Sequence, residues 1–226
     1  MTDSKSLYTL IGGVVDSRLA SDRTRLQRDL RSALKSFSMN PPPGIEMKRN
    51  LETTVGDEFQ GVFSDMADAV LASLLIRLEL LRSAGIDSRY GLGFGEVKVF
   101  DESRSPVQQD GSGWWSAREA IAEAAAQAES HQSDFIRTRF RCDPKSPKVS
   151  GEEMSAVNAF LVTRDAMVDE MKPKTQRMLQ GLLLGNSQST IARDEGVTQS
   201  AVSQALQRSG AHAIALAHRQ FERGEP

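Results

Sequence analysis

The sequence predicts an α+β protein in which a ferredoxin-like domain with an antiparallel sheet precedes an all-α domain. Over residues 1–145, strand-like and helix-like segments follow one another in the order β-α-β-β-α-β-α-β. Such a chain is expected to form one antiparallel sheet with helices packed on one face. Residues 143–151 contain two prolines and a glycine but no apolar run, and every later periodic signal is helical. We therefore expect two domains, residues 1–145 and 151–226.

Composition excludes several classes of protein. With 39% hydrophobic and 26% charged residues, the 226-residue chain has the balance of a folded globular protein rather than a disordered one. The single cysteine, Cys142, excludes an internal disulfide framework and a multi-cysteine zinc site. No apolar run reaches the roughly 20 residues that span a bilayer, and the N-terminus lacks a signal-peptide pattern. A cytoplasmic protein without a membrane partner is expected.

The chain begins with a buried strand and an amphipathic helix. Residues 7–15 form a short apolar run that ends in β-branched valines, as in a buried strand. Asp22 is a suitable N-cap for the next helix, whose apolar residues recur every three or four positions. The proline-rich segment 40–44 ends that helix in a rigid turn.

A β-hairpin and a second α/β unit follow. The hairpin arms are residues 45–55 and 58–63, and the tip lies at Gly56-Asp57. The remaining elements of this part are a helix over 66–83 closed by Gly85, a strand over 88–100, a polar loop over 101–113, an alanine-rich helix over 114–131 and a strand over 135–142.

Residues 188–207 resemble a helix-turn-helix. In that motif two short helices cross closely, which requires a small residue at the crossing and a glycine at the turn. Ala192 and Gly196 meet these two requirements, and Val202 faces inward from the second helix. A helix over 173–184 supports the pair. The sequence therefore predicts a helix-turn-helix within the second domain.

The outward face of the second helix has side chains suited to DNA. Glutamine pairs with adenine, serine contacts bases or phosphates, and arginine binds phosphate. Residues 172–226 hold seven Lys or Arg and four Asp or Glu, a balance of +3 in a chain of net charge −2. Double-stranded DNA is the expected partner; the alternative is a three-helix module that binds protein. The candidate DNA-binding residues are Gln199, Ser200, Ser203, Gln204, Arg208 and Arg193.

Three segments of the N-terminal part resemble, in order, the palm domain of class III nucleotide cyclases. They are IGGVVDSR at 11–18, TVGDEFQGVF at 54–63 and RYGLGFGEV at 89–97. With its GDEFQ hairpin, its WW-x-AREA segment at 114–120 and its C-terminal helix-turn-helix, the chain resembles the SatD family over nearly its whole length. The resemblance implies a cyclase-like palm domain that pairs into a homodimer.

The cyclase resemblance also implies a metal and nucleotide site. Palm domains hold two divalent cations around a triphosphate with two aspartates, one ending the first strand and one at the hairpin tip. Asp57 occupies the hairpin position, with Glu58 beside it, but the first-strand position is Gly13. Asp16 substitutes only if the chain bends at the strand end. The residues by themselves assign no cofactor; the resemblance implies Mg²⁺ or Mn²⁺ with a nucleotide.

The other cyclase positions are mixed. Arg118 matches the arginine that a cyclase contributes from its partner subunit, whereas the asparagine position is Trp114 and the base-selecting lysine position is Thr53. These departures predict a palm domain that is not an active cyclase, with Asp57 and Arg118 as the candidate catalytic residues if activity remains. Without the resemblance, Asp57 is a favoured turn residue and Arg118 belongs to a charged helix surface.

These observations lead to three hypotheses of different class. The first is a dimeric DNA-binding transcriptional regulator whose degenerate cyclase-like domain senses a nucleotide. The second is a metal-dependent nucleotide cyclase or nucleotidyl-processing enzyme that uses the helix-turn-helix as a localiser. The third is a protein-interaction adaptor. Binding of labelled DNA that strengthens at low salt favours the first, and metal-dependent release of pyrophosphate favours the second.

Overall fold

The computed structural model describes residues 5–17, 22–104, 106–145 and 148–222. Arg18 of the cyclase-like pattern, Ser146 and Pro147 of the proline-containing segment, and Arg223 and Glu225 of the charge count lie outside these residues. The strands of the described part are β1 (Lys5–Val14), β2 (Met47–Thr53), β3 (Glu58–Phe63), β4 (Ser88–Asp101), β5 (Gln108–Asp110) and β6 (Thr138–Cys142).

The helices include three that alternate with the strands and five that follow them. The first three are α1 (Arg23–Met39), α2 (Met66–Ala84) and α3 (Ser112–Gln127). The C-terminal five are α4 (Gly151–Asp169), α5 (Pro173–Leu183), α6 (Gln188–Glu195), α7 (Gln199–Arg208) and α8 (Ala211–Glu222). None of the helices in the described ranges is long and apolar enough to cross a membrane.

The strands form a mixed sheet. Four strands pair in the order β2-β3-β1-β4, all antiparallel, which is the ferredoxin-like order expected for a β-α-β-β-α-β chain. β6 then pairs with the first half of β4 in parallel, and β5 pairs with its far end. The prediction of an α+β fold is confirmed, but the prediction of a purely antiparallel sheet is wrong. The crossover through α3 returns the chain in the direction of β4, so a parallel pair results.

Helices cover both faces of the sheet, so the expectation that they cover one face is wrong. Along β4, Tyr90, Leu92 and Phe94 enter the core shared with α1 and α2. The alternate positions Gly91, Gly93 and Gly95 face α3, as the two-residue period of a strand requires. A Cβ at Gly91 would overlap the backbone of α3 at Ala117. The glycines therefore allow the α3 backbone to lie directly against the sheet.

Helix α2 lies at the centre of the molecule. It begins at the N-cap Asp65 and ends at Gly85, whose left-handed φ of 65° suits glycine. Residues on most of its circumference are buried, since one side packs on the sheet and the other on the C-terminal helices. Leu74 and Leu78 belong to one core with Leu179 and Val202. The predicted division into domains 1–145 and 151–226 remains a prediction; their helices share this buried surface.

Helix α4 closes the outer edge of β6 with side chains. Asn158 accepts a hydrogen bond from the Phe140 N–H and donates one to the Phe140 carbonyl, both at 2.9 Å. The Asp165 carboxylate accepts from the backbone N–H groups of Arg137 at 2.9 Å and Thr138 at 2.6 Å. These bonds satisfy backbone groups that an edge strand otherwise exposes.

A buried ion network fixes the same region. Asp87 pairs with Arg77 at 2.8 Å and with Arg137 at 2.7 Å. Burial by itself raises the pKa of Asp87, but the two guanidinium groups outweigh burial and hold it below its usual value. Arg164, fully buried on α4, donates to the Val70 carbonyl of α2 at 3.0 Å. The network thus ties α2, β6 and α4 together.

Candidate nucleotide site and candidate DNA interface

The hairpin tip lies where the sequence predicts it. Gly56 has φ 67°, and the Thr54 N–H donates to the Glu58 carbonyl at 2.9 Å across the turn. Asp57 is half-buried at this tip, and Glu58 begins β3 directly after it. The hairpin therefore presents two consecutive carboxylates at one end of the sheet.

Gly13 lies opposite Glu58 in the pairing of β1 with β3. A Cβ built on Gly13 would be 3.9 Å from Glu58 Cγ and 3.9 Å from Ile121 Cδ1, which is ordinary van der Waals contact. The fold therefore has room for a side chain where the cyclase resemblance places an aspartate. The missing carboxylate is a matter of sequence and not of backbone geometry.

Asp16 lies in the turn after β1 and has φ 54°, a left-handed conformation that is uncommon outside glycine. It lies close enough to Arg89 to influence its ionisation: burial and Arg137 lower the pKa of Arg89, while Asp87 and Asp16 raise it. In the described ranges, no group of three or more His, Cys, Asp or Glu residues is placed to hold a metal ion. Asp16, Asp57 and Glu58 therefore do not form a cluster of three metal ligands in this part of the chain.

Arg118 is bound to the hairpin of its own chain. Its NH1 and NH2 groups donate to the two Glu58 carboxylate oxygens at 2.7 and 2.8 Å, a bidentate pair. The hydrogen bonds to Glu58 raise the pKa of Arg118. Both side chains remain accessible, with 54% of Arg118 and 36% of Glu58 exposed. The sequence identifies both residues as candidates but not their contact, because 60 positions separate them.

The two tryptophans ahead of Arg118 have different environments. Trp114 is buried against β1 and β3 in the core on the α3 face. Trp115 is 60% exposed and its indole N–H donates to the Asp110 carboxylate at 2.8 Å. Thr53, at the base-selecting position of the resemblance, ends β2 and pairs with Phe59. Trp114 therefore serves the core and is not available to a ligand.

Helices α6 and α7 are joined by a tight, well-capped turn. Ser187 and Thr198 accept hydrogen bonds from Thr190 N and Ala201 N, capping the two helices. Between them Gly196 ends α6 with φ 63°. The residues facing inward are buried apolar side chains: Ile191, Ala192, Val202 and Leu206. Their burial leaves the opposite side of α7 to solvent.

The candidate DNA-binding residues lie mostly on that exposed side. Ser203 is half-buried, and Gln204 donates weakly to Ser200 Oγ at 3.5 Å. Arg193 is 75% exposed beside Asp194. Arg177, which contributes to the positive balance of this segment, is bound through a bidentate pair to Glu195 and joins α5 to α6. The exposed residues of the set are Gln199, Ser200, Gln204, Arg208 and Arg193.

His218 is a buried residue that the sequence does not identify. Only 3% of it is exposed on α8, where its ring packs edge-on against Phe160 of α4 with centroids 5.3 Å apart. Neither ring nitrogen has a hydrogen-bond partner in the described part of the chain. Burial, with a smaller contribution from Arg164, lowers the pKa of His218 to about 3. The histidine is therefore neutral and acts in packing.

The fold and these two sites define an α+β protein that combines a carboxylate-bearing hairpin with a unit of short C-terminal helices. The SatD family model matches residues 7–222, so this chain belongs to the SatD family. No curated protein matches it.

Several solved structures are similar over part of the chain. A bacterial light-regulated adenylyl cyclase is 14% identical with a TM-score of 0.41, over 54% of this chain and 40% of that one. The dimeric guanylyl cyclase domain of a fusion protein from the aquatic fungus Blastocladiella emersonii is 17% identical with a TM-score of 0.40, over 54% and 77%. A regulator of polyketide synthase expression from Bifidobacterium adolescentis is 14% identical with a TM-score of 0.26, over 97% and 87%.

Proposed function

We propose that this protein is a cytoplasmic, homodimeric, DNA-binding transcriptional regulator. Its cyclase-like palm domain is degenerate: it dimerises and senses a nucleotide instead of making a cyclic one. The helix-turn-helix formed by α6 and α7 binds double-stranded DNA, with α7 in the major groove. A two-fold dimer presents two copies of α7 and therefore suits a palindromic site.

The exposed face of α7 is the observation that supports DNA binding most directly. Gln199 and Gln204 are both exposed, while Val202 and Leu206 on the same helix are fully buried. A short helix held by its apolar side and offering amide side chains to solvent has the layout of a base-reading helix. Arg208 at its end is placed for a phosphate.

The absence of one metal-binding carboxylate supports the loss of cyclase activity. Two-metal catalysis needs carboxylates that bridge both ions, and Gly13, opposite Glu58 in the sheet, stands where the cyclase resemblance expects one of them. Thr53 and Trp114 replace the other substrate contacts of the resemblance. A nucleotide would then act as a regulatory ligand, with Arg118 as its phosphate contact.

The deciding experiment measures DNA binding by fluorescence anisotropy, using duplexes selected from a random library. Replacing Gln199 and Gln204 by Ala is expected to cost roughly 1–3 kcal/mol for each lost base contact, with the fold intact. Gln220→Ala, which removes an exposed glutamine from α8, is the matched control. Affinity should also rise steeply as salt is lowered.

Two outcomes would reject the proposal. Equal affinity of the wild type and the double variant for every duplex would exclude the readout and favour a protein-interaction adaptor. Release of pyrophosphate from ATP or GTP with Mg²⁺ or Mn²⁺ would favour the second candidate function, a nucleotide-processing enzyme. The observation that favours this second function is the pair of consecutive carboxylates at the hairpin tip.

A further inference from the structure

We infer that Glu58 is a built-in competitor for the anion that Arg118 binds, so that a phosphate reaches Arg118 only by displacing the Glu58 carboxylate. This inference rests on the proposed nucleotide-sensing function and specifies how the site is regulated. The ligand class is a polyphosphate, since a guanidinium that pairs with two carboxylate oxygens offers the same fork to two phosphate oxygens.

The first argument is the geometry of the pair. Both terminal nitrogens of Arg118 are engaged by Glu58, at 2.7 and 2.8 Å. A phosphate seeking a bidentate contact therefore meets a donor fork that is already occupied. The carboxylate and the phosphate cannot both take the same two N–H groups, so their binding is mutually exclusive.

The second argument is accessibility. With 54% of Arg118 and 36% of Glu58 exposed, the pair lies at the surface and can exchange partners without unfolding. Because both side chains are partly exposed, water competes with the ion pair and weakens it. A multiply charged phosphate can therefore replace the carboxylate at modest cost.

The third argument is the place of Glu58 in the hairpin. Glu58 is the first residue of β3 and follows the tip residues Gly56 and Asp57 directly. Its neighbour across the sheet is Gly13, which has no side chain to hold it. When Arg118 changes partner, the two hydrogen bonds by which this pair joins α3 to the hairpin tip are lost. Ligand binding on α3 is thereby coupled to the tip.

The experiment measures the affinity for inorganic triphosphate, without divalent metal and at low salt, by isothermal titration calorimetry. Glu58→Gln should bind about three- to tenfold more tightly than the wild type, because the competing charge and its repulsion of phosphate are both removed. Glu119→Gln is the matched control, since it removes one negative charge from a residue adjacent to Arg118 that pairs with Arg141 at 3.8 Å. Combining Glu58→Gln with Arg118→Ala should abolish the gain.

The outcomes separate the inference from the proposed function. A gain confined to Glu58→Gln, dependent on Arg118, supports the competitor. If the wild type and Glu58→Gln bind equally and Arg118→Ala weakens both, the nucleotide site stands and the competitor is rejected. An equal gain in triphosphate affinity in Glu119→Gln would show that the gain comes from net charge alone, and it would also contradict the competitor role of Glu58. If no variant binds triphosphate at millimolar concentration, the nucleotide-sensing function fails along with the inference.

Discussion

Gly13 is the residue at which this protein departs most clearly from a metal-binding palm. Because a side chain fits there beside Glu58, Gly13→Asp should fold and place a third carboxylate near Glu58 and Asp57. We expect the variant to bind Mn²⁺ severalfold more tightly than the wild type, as measured by titration calorimetry. Gly13→Asn, with the same shape and no charge, should show no gain. Equal Mn²⁺ affinity of all three proteins would contradict the interpretation that Gly13 replaces a metal-binding aspartate.

We predict that the burial of His218 makes the folded protein less stable in acid. The pKa of His218 is about 3 in the folded protein, against roughly 6.5 for an unperturbed histidine. The contribution of His218 to the free energy of unfolding is therefore fully present above about pH 6.5 and declines as the pH falls towards 3. The reason is that the unfolded chain binds a proton in this range that the folded protein does not bind. At pH 5 the expected loss is about 2 kcal/mol of unfolding free energy.

Urea denaturation at pH 7.5 and pH 5 measures this loss. His218→Phe should reduce the difference in unfolding free energy between the two pH values, since the ring remains and the titration does not. His212→Ala, from an exposed position on the same helix, should leave the difference as it is in the wild type. A pH dependence of His218→Phe identical to that of the wild type would show that other groups cause the acid effect.

At the scale of the element, the turn between α6 and α7 depends on one backbone conformation. Gly196 has φ 63°, so Gly196→Ala forces a side chain into the left-handed region and should cost about 1–2 kcal/mol. Gly151→Ala is the control: its φ is not positive and no atom lies within 4 Å of the added Cβ. Thermal unfolding compares the two. A neutral effect at Gly196 would mean that the turn has a different conformation from the one described.

The success of prediction from sequence also differs from element to element. Helix α2 could be predicted because its apolar period and closing glycine are local signals, and residues 66–84 form it. Strand β5 is not predicted by the sequence, because its three polar residues, Gln108–Asp110, have no periodic pattern and form a strand only by pairing with β4. The predicted helix 114–131 begins at Ser112 and ends at Gln127, and the predicted strand 135–142 begins only at Thr138.

The candidate sites also differ in whether they depend on local sequence signals or on contacts between distant segments. The Asp57 turn and the α6–α7 pair are encoded in neighbouring residues, so sequence spacing was sufficient to place them. The Glu58–Arg118 pair and the ion network around Asp87 join distant segments, and no local sequence pattern predicts them. The glycines at 91, 93 and 95 carry part of the cyclase resemblance, and their physical role in the fold is to let α3 approach the sheet.

At the scale of the whole molecule, α2 couples the sheet to the C-terminal helices. Leu78 is 2% exposed and belongs to the core that contains Val202 and Leu206. Leu78→Ala should therefore destabilise the sheet and the helices together, by about 2–5 kcal/mol, in a single transition. Tryptophan fluorescence reports unfolding of α3, which packs on the sheet and carries Trp114 and Trp115. Far-ultraviolet circular dichroism reports the helices of the whole chain. Transitions that separate in the variant, or a fragment 151–226 as stable as the full chain, would instead support independently folding domains.

The side-chain closure of β6 has a consequence for how copies of this protein can associate. An unpaired strand edge is a template on which a second chain can extend a sheet, and long exposed edges lead to polymers. Here Asn158 and Asp165 already occupy backbone groups of Phe140 and Thr138 in β6. Another outer strand, β2, pairs with β3 through two register shifts that break its regularity. The third outer strand, β5, has only three residues, so none of the edges in the described part of the sheet offers a long, straight, vacant ladder. Assembly by continuing the sheet from molecule to molecule is thus disfavoured, which protects a chain rich in buried strands from fibre formation.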